Sequence, residues 1–189
     1  MEFEKDIESC LAALQAGGLI LYPTDTIWGI GCDATNPAAV SKVYALKQRV
    51  AAKSLIVLMA DERDILKYTS QPDLRIFDFL QTVQKPTTVI YEGAIGLADN
   101  LINADGTVAI RLVVDAFCRH LIKRFRKPLV STSANLSGEP PPAFFREIDP
   151  RIGAGVDYIV QHRRDDETPR EPSAIVKWNA DASITVIRS

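Results

Sequence analysis

Several things that secreted, metal-bound or membrane proteins depend on are scarce in this sequence. Three cysteines occur in 189 residues, Cys10, Cys32 and Cys118, with no C-x-x-C pair among them. An odd, dispersed set suggests neither a disulfide framework nor a zinc site, and points to a reducing cytoplasm. The two histidines, His120 and His162, have no recognisable nucleophile partner, so a hydrolytic triad has little support. No apolar run approaches the ~20 residues needed to span a bilayer, and no membrane role is expected. The opening MEFEKDIESC is acidic and amphipathic, unlike a signal peptide. A G-x-x-x-x-G-K-[ST] loop is missing, as are internal repeats and low-complexity tracts. Charge of one sign is also missing. With 22 Lys and Arg against 24 Asp and Glu, the net charge of -2 argues against a protein that grips nucleic acid with its whole surface. A local basic concavity, and with it weak RNA binding, stays open.

What is present is the length and composition of an ordinary globular chain, read as one domain over 1–189. Glu4 to Gln15 reads as a helix with Ile7, Leu11 and Leu14 on one side, stopped by Gly17-Gly18. Leu19 to Tyr22 follows as a buried strand. Asn36-Pro37 caps and opens a helix to about Lys47, Leu55 to Leu58 is a strand, and Asp61 opens a helix to about Tyr68. Another helix is expected from Pro72 to about Val83. Thr87 to Tyr91 and Val108 to Val113 read as strands, Asp115 caps a helix through Phe125, and Leu129 to Ser131 is a strand. The tail gives short strands at 158–160, 174–178 and 184–187. Helices alternate with strands early and strands dominate late, which makes a mixed α/β fold, α+β-like, around a mainly β twisted sheet with flanking helices. The charge-dense, apolar-poor segment 161–171 is expected to be a mobile surface loop.

Two hydroxyl clusters cannot be core filling. Tyr22-Pro23-Thr24-Asp25-Thr26 and Ser131-Thr132-Ser133-Ala134-Asn135-Leu136-Ser137-Gly138 place Ser, Thr and Asn next to strand ends, where burial is costly unless something hydrogen-bonds them. Either could be a hydroxyl-rich turn; together they suggest a polar ligand pocket. Arg111 sits inside the apolar Val108 to Val113 run, so it is either an ion pair with an acidic neighbour or a pocket-facing anion ligand. Lys47, Arg49 and Lys53 at a helix exit read equally as a solvated helix end favoured by the helix dipole or as an anion site. Gly29-Ile30-Gly31-Cys32-Asp33-Ala34 imitates a dinucleotide-binding G-x-G-x-x-A. The helix starts only at Pro37, however, and Arg49 and Lys53 stand where an acidic residue would be needed. Strand glycines permitting close approach are the better reading.

The stretches YPTDTIWGIGCDA (22–34), KQR (47–49) with KSLIVLM (53–59), VAIRLV (108–113), STSANLSG (131–138) and PSAIVKW (172–178) make a set. In order and spacing, up to Arg188, this set resembles the YrdC/TsaC family of L-threonylcarbamoyladenylate synthases. The resemblance implies a YrdC-like (dsRNA-binding-domain-like) fold with a concave site. It implies ATP-dependent joining of L-threonine and bicarbonate or CO2, with release of pyrophosphate, for tRNA N6-threonylcarbamoyladenosine. The product would pass to a separate tRNA threonylcarbamoyl transferase complex. Carried over residue by residue, Lys47 and Arg49 gather at the reacting phosphoryl centre. Arg49, Lys53, Thr107, Ser133, Asn135 and Arg188 contact ATP, and Thr26, Arg111, Ser131 and Ser173 bind threonine. The chain departs from the family pattern at Ala174, Pro141 and Pro86-Thr87-Thr88.

Such a reaction needs positioning and charge neutralisation more than a protein nucleophile. Magnesium is expected to ride on the phosphates, since no acidic cluster is seen to hold it and no protein metal ligand is assigned. The product is a labile mixed anhydride, which makes the 161–171 loop a candidate lid. Two other classes remain: an RNA-binding module using the same basic concavity, and a carbamoyl-adenylate-forming domain of the hydrogenase-maturation type, disfavoured by the lack of acylphosphatase or zinc-finger segments.

Overall fold

The computed structural model describes residues 2–48, 55–70, 72–179 and 181–189. Helix α1 (Glu4–Gln15) buries Ile7, Cys10 and Leu14, spaced three and four apart as one helical face requires. The chain leaves it through Gly17 at φ +70°, a left-handed conformation that glycine adopts without strain. Strands β1 (Ile20–Tyr22) and β2 (Gly29–Gly31) then form a hairpin around the Pro23 to Trp28 turn. Helix α2 (Pro37–Leu46) starts as its sequence demands: the Asn36 side chain accepts from Ala38 N and Ala39 N at 3.0 and 3.2 Å, with proline at the first position.

Strand β3 (Ile56–Met59), helix α3 (Glu62–Tyr68), helix α4 (Arg75–Thr82) and strands β4 (Thr87–Tyr91) and β5 (Val108–Leu112) follow. The helix expected from Pro72 begins three residues later. The Asp73 carboxylate accepts from Arg75 N at 3.0 Å and from Trp178 Nε1 at 3.0 Å, which fixes the preceding residues as a turn. Helix α5 (Ala116–Phe125), capped by Asp115, leads into strand β6 (Leu129–Ser133), two residues longer than expected. A short helix α6 (Pro150–Ala154) was not expected from sequence, although Asp149-Pro150 repeats the cap-plus-proline signal of Asn36-Pro37. Strands β7 (Tyr158–Ile159), β8 (Ala174–Trp178) and β9 (Ile184–Arg188) complete the chain.

The described strands form one nine-stranded sheet in the order β7-β1-β2-β6-β3-β5-β4-β8-β9. Pairs β1–β7, β3–β5 and β4–β8 are parallel and the rest antiparallel, so the expected mixed class holds. Because side chains alternate along a strand, Val57, Val89, Ile110 and Val130 enter the hydrophobic core. Their neighbours Ile56, Ala109, Arg111 and Ser131 turn to the opposite, concave face. The glycines of β2 serve close approach, as read from sequence: a Cβ on Gly29 would lie 3.0 Å from Ser131 Oγ, and one on Gly31 2.6 Å from Tyr22 Cε1. Among the described residues no helix is long and apolar enough to cross a membrane.

Candidate active site

The concave face holds a cavity of about 480 Å3 at the meeting of β2, β3, β4, β5, β6, β8 and β9. Thr26, Arg111, Ser131, Ser133, Asn135, Ser173 and Arg188 all line it, although they come from five separate stretches of sequence. One wall is apolar, made by Ile56, Ile90, Ile175 and Ile187. Sequence reading had no means of finding that wall, since these residues look like ordinary strand interior.

Each polar side chain is set by local chemistry. In the turn, Thr24 Oγ1 donates to Ile27 O at 2.8 Å and accepts from Thr26 N at 3.0 Å. Its one proton is thereby used, so in the 2.9 Å contact between the two hydroxyls Thr26 is the donor. Thr26 Oγ1 therefore has acceptor lone pairs to offer the cavity. Ser173 shares a 2.8 Å hydrogen bond with the fully buried Thr88 hydroxyl. The Ser173 carbonyl accepts from Arg188 Nε and Nη2 at 3.0 and 2.8 Å. Burial, and then the neighbouring Arg111 charge, lowers the proton affinity of Arg188. Two guanidiniums lining one cavity make it suited to anions.

Arg111 is 3 % exposed and pairs with Asp25, Nη2 to Oδ1 at 3.0 Å. Arg111 is thus ion-paired and also lines the cavity, so the ion pair expected from sequence is present and the anion-ligand role belongs to the proposed function. Among the described residues its buried Nε has no partner, nor has Asp25 Oδ2. Asp25 was missed as a site residue; its place between two threonines in the turn was the available signal.

Three expected residues behave differently. Lys47 is the residue that follows α2, as expected, but it is not a solvated helix end: it is 1 % exposed. Its ammonium donates to Ser133 O, to Asn135 O at 2.7 Å and to Asn135 Oδ1 at 3.4 Å, while its own carbonyl accepts from Ser137 N at 2.9 Å. A buried ammonium must find oxygens, and the Ser-x-Asn loop supplies them. Thr107 does not line the cavity. Its hydroxyl is engaged by Asp105 Oδ1 at 2.7 Å and Asn103 Nδ2 at 2.9 Å, and Asn103 lines the cavity in its stead. Asn135 lines the cavity, but its amide turns toward its own loop, donating to Glu139 O at 2.6 Å. Arg49 and Lys53 lie outside the described residues.

The 161–171 segment is tied down more than its composition suggests. The Asp6 carboxylate of α1 accepts from Gln161 N at 2.8 Å, His162 N at 2.9 Å and the Tyr158 hydroxyl at 2.7 Å. Arg163 pairs with Asp115 at 3.0 Å, and Arg164 lies 4.8 Å over Phe145, which packs on Trp28. The segment's residues Arg163, Asp166, Thr168 and Arg170 face Thr24 and Thr26 across a small gap. Expecting a loose connection overlooked the backbone donors that a buried carboxylate can gather. Among the described residues no group of three or more Asp, Glu, His or Cys could hold a metal ion.

A twisted mixed sheet with flanking helices and a concave face lined by arginines and hydroxyls defines a mixed α/β protein with a polar cavity. A family model described as Sua5_yciO_yrdC, "Telomere recombination", matches residues 12–189, and the chain belongs to this family. Among similar proteins, the threonylcarbamoyl-AMP synthase of Stenotrophomonas maltophilia (strain K279a) is 36% identical over 160 residues, covering 83% of this chain and 86% of that protein. The threonylcarbamoyl-AMP synthase of Vibrio campbellii (strain ATCC BAA-1116) is 33% identical over 175 residues, covering 90% and 93%. Among solved structures, P. abyssi Sua5 complexed with L-threonine has a TM-score of 0.85 at 19% identity, covering 98% of this chain and 54% of that one. E. coli YciO has a TM-score of 0.83 at 20% identity, covering 98% and 89%. The chain thus has the fold expected from the resemblance, and it spans about half the length of the P. abyssi Sua5 chains.

Proposed function

We propose that this chain is a threonylcarbamoyl-AMP synthase, which joins L-threonine, bicarbonate or CO2, and ATP into L-threonylcarbamoyladenylate and pyrophosphate for tRNA N6-threonylcarbamoyladenosine. The observation that carries this is the cavity itself: hydroxyls of Thr26, Ser131 and Ser133 facing two guanidiniums, one of which keeps a buried, unused N–H. Homology to enzymes of that name over most of the chain supports the reading. In it, the Arg111 fork takes the threonine carboxylate, which suits a planar donor pair better than a lysine point charge. Thr26, Ser131 and Ser173 surround the rest of the amino acid. Ser133, Asn135 and Arg188 meet the nucleotide, joined by Arg49 and Lys53, and Thr107 acts through Asn103.

The threonine amine, once deprotonated, adds to CO2. A carbamate oxygen then attacks the α-phosphorus, the bond to the β-phosphate bridging oxygen breaks, and pyrophosphate leaves. Cations that stabilise the charge developing on phosphoryl oxygens lower this barrier without any covalent enzyme intermediate. Arg49 fills that role directly, and Lys47 acts by holding the Ser133 to Asn135 backbone. Any magnesium enters on the nucleotide, as part of the substrate. Residues 1–189 act as one YrdC-like domain, working in the cytoplasm where ATP and tRNA meet, with a tRNA threonylcarbamoyl transferase complex as the consumer of the product. The 161–171 segment closes over the labile anhydride.

The test is pyrophosphate release with ATP and bicarbonate, with and without threonine. Release that requires threonine is expected. Equal release without it, or release supported by carbamoyl phosphate in its place, overturns the reading.

A further inference from the structure

Arginine–carboxylate pairs frequently close through two parallel hydrogen bonds. Arg111 and Asp25 do not. They share a single 3.0 Å contact, Nη2 to Oδ1, with both side chains at least nine-tenths buried at 4 % and 6 % exposure. Among the described residues, Arg111 Nε and Asp25 Oδ2 have no hydrogen-bond partner. Leaving such atoms unpaired in a buried place is costly, and the pairing with Asp25 leaves most of the guanidinium N–H groups unused on the arginine that lines the cavity.

The turn that carries Asp25 is itself fixed. Asp25 sits between Thr24 and Thr26 in a turn closed by three hydroxyl hydrogen bonds, and the same turn is tied to α5 by Cys118 Sγ, 3.4 Å from Pro23 O. Thr26 and Arg111 face the cavity. Asp25 instead borders a separate cleft of about 650 Å3 between the C-terminal ends of β3 and β5 and the loop before β4. The Arg111–Asp25 pair is therefore part of the partition between the two spaces. On the cavity side stands a second guanidinium, Arg188, near enough for the Arg111 charge to lower its proton affinity.

We propose that Asp25 is a positioning residue that sets which anion Arg111 serves. By holding one arm of the guanidinium from behind, it keeps the remaining N–H groups turned to the amino-acid carboxylate beside Thr26 and Ser131. It also offsets one of two neighbouring positive charges, so that Arg111 is not drawn to the nucleotide phosphates along with Arg188. This rests on the proposed synthase reading, and it divides the labour of the two arginines: Arg111 with Asp25 for the α-carboxylate, and Arg188, which has no carboxylate partner among the described residues, for phosphate.

The experiment compares wild type, Asp25→Asn, Asp25→Glu, Arg111→Lys and the Asp25→Asn/Arg111→Lys double variant, measuring KM for threonine and for ATP separately, with circular dichroism and thermal melting to establish that each is folded. Asp25→Asn is expected to raise the threonine KM at least tenfold while the ATP KM stays within twofold or falls. Asp25→Glu should recover much of the loss, and the double variant should be little worse than Arg111→Lys, since both changes remove one interaction. A folded Asp25→Asn protein with a threonine KM within twofold of wild type overturns the inference. So does an equal loss for both substrates, which a merely structural role would give. If wild type itself shows no threonine dependence, the synthase reading fails first and this inference with it, an outcome distinguished by its appearing in the unmutated protein.

Discussion

Lys47→Met should cost stability as well as activity. In the structure the Lys47 ammonium is the common partner of two backbone carbonyls, Ser133 O and Asn135 O, at 1 % exposure. Methionine keeps the volume of the stem and leaves both carbonyls without that donor. Hydrogen bonds to a charged group contribute about 1.5–3 kcal/mol each. Taking the low end for these part-buried carbonyls, and subtracting the relief of no longer burying a charge, the net loss is about 2–3 kcal/mol. For a chain of this length each kcal/mol moves Tm by roughly 2–4 °C, so the melting temperature should fall by about 4–12 °C. Threonine-dependent pyrophosphate release should fall in parallel even well below the new Tm, because the loop carrying Ser133 and Asn135 loses its anchor. The assay is a thermal melt followed by circular dichroism beside pyrophosphate release at 20 °C below Tm. A variant that melts within 1 °C of wild type yet is inactive would refute the brace, and would return Lys47 to the role of a cation reaching substrate.

Arg111→Lys should raise the threonine KM or lower kcat by at least tenfold with ATP binding little changed, since the charge stays and the fork is lost; unaltered threonine kinetics would remove Arg111 from the carboxylate site. Gly31→Ala places a Cβ 2.6 Å from the fully buried Tyr22 ring and 2.9 Å from Val130 O, neither of which can yield freely, so a loss of about 2–3 kcal/mol is expected in denaturant titration. A change under 0.5 kcal/mol would show that β2 can slide. Burial pushes the thiols of Cys10, Cys32 and Cys118 up, so at pH 8 the folded protein should react with well under one equivalent of a disulfide reagent and with three after denaturation.

Most elements were legible because each begins or ends on a residue with a local reason: Asn36, Asp61 and Asp115 cap helices through their own side chains. The late start of α4 was not, because it depends on Asp73 meeting Trp178, 105 residues away. The cavity was legible in part. Hydroxyls and arginines beside apolar runs are anomalous in sequence, and Thr26, Ser131, Ser133, Asn135, Ser173, Arg111 and Arg188 do line one space. What sequence could not distinguish is which polar group faces ligand and which is consumed by a neighbour. Thr107 and Lys47 look as available as Arg188, yet one is spent on Asp105 and Asn103 and the other on main-chain carbonyls.

The loop at 161–171 carries this distinction into dynamics. Its base is fixed by the three donors converging on Asp6 and by the Arg163–Asp115 pair, whereas Thr168 and Arg170, which face Thr24 and Thr26, are tied mainly to Asp166 of the same segment. A segment fixed at its start by Asp6 and Asp115 and at its end by the buried Ser173 can close by bending only its middle part, which costs less ordering entropy than gathering a wholly loose loop. If it shields a labile anhydride, hydrogen exchange should show the two halves separating. Amides at 161–164 should be protected with or without ligands, and those at 168–171 should gain protection only when nucleotide and threonine are both present, beyond the sum of either alone. Asp6→Ala should then speed exchange at 161–164 and raise the rate at which product is lost to hydrolysis. Uniform exchange across the segment in all four ligand states would leave water exclusion to the fixed walls of the cavity.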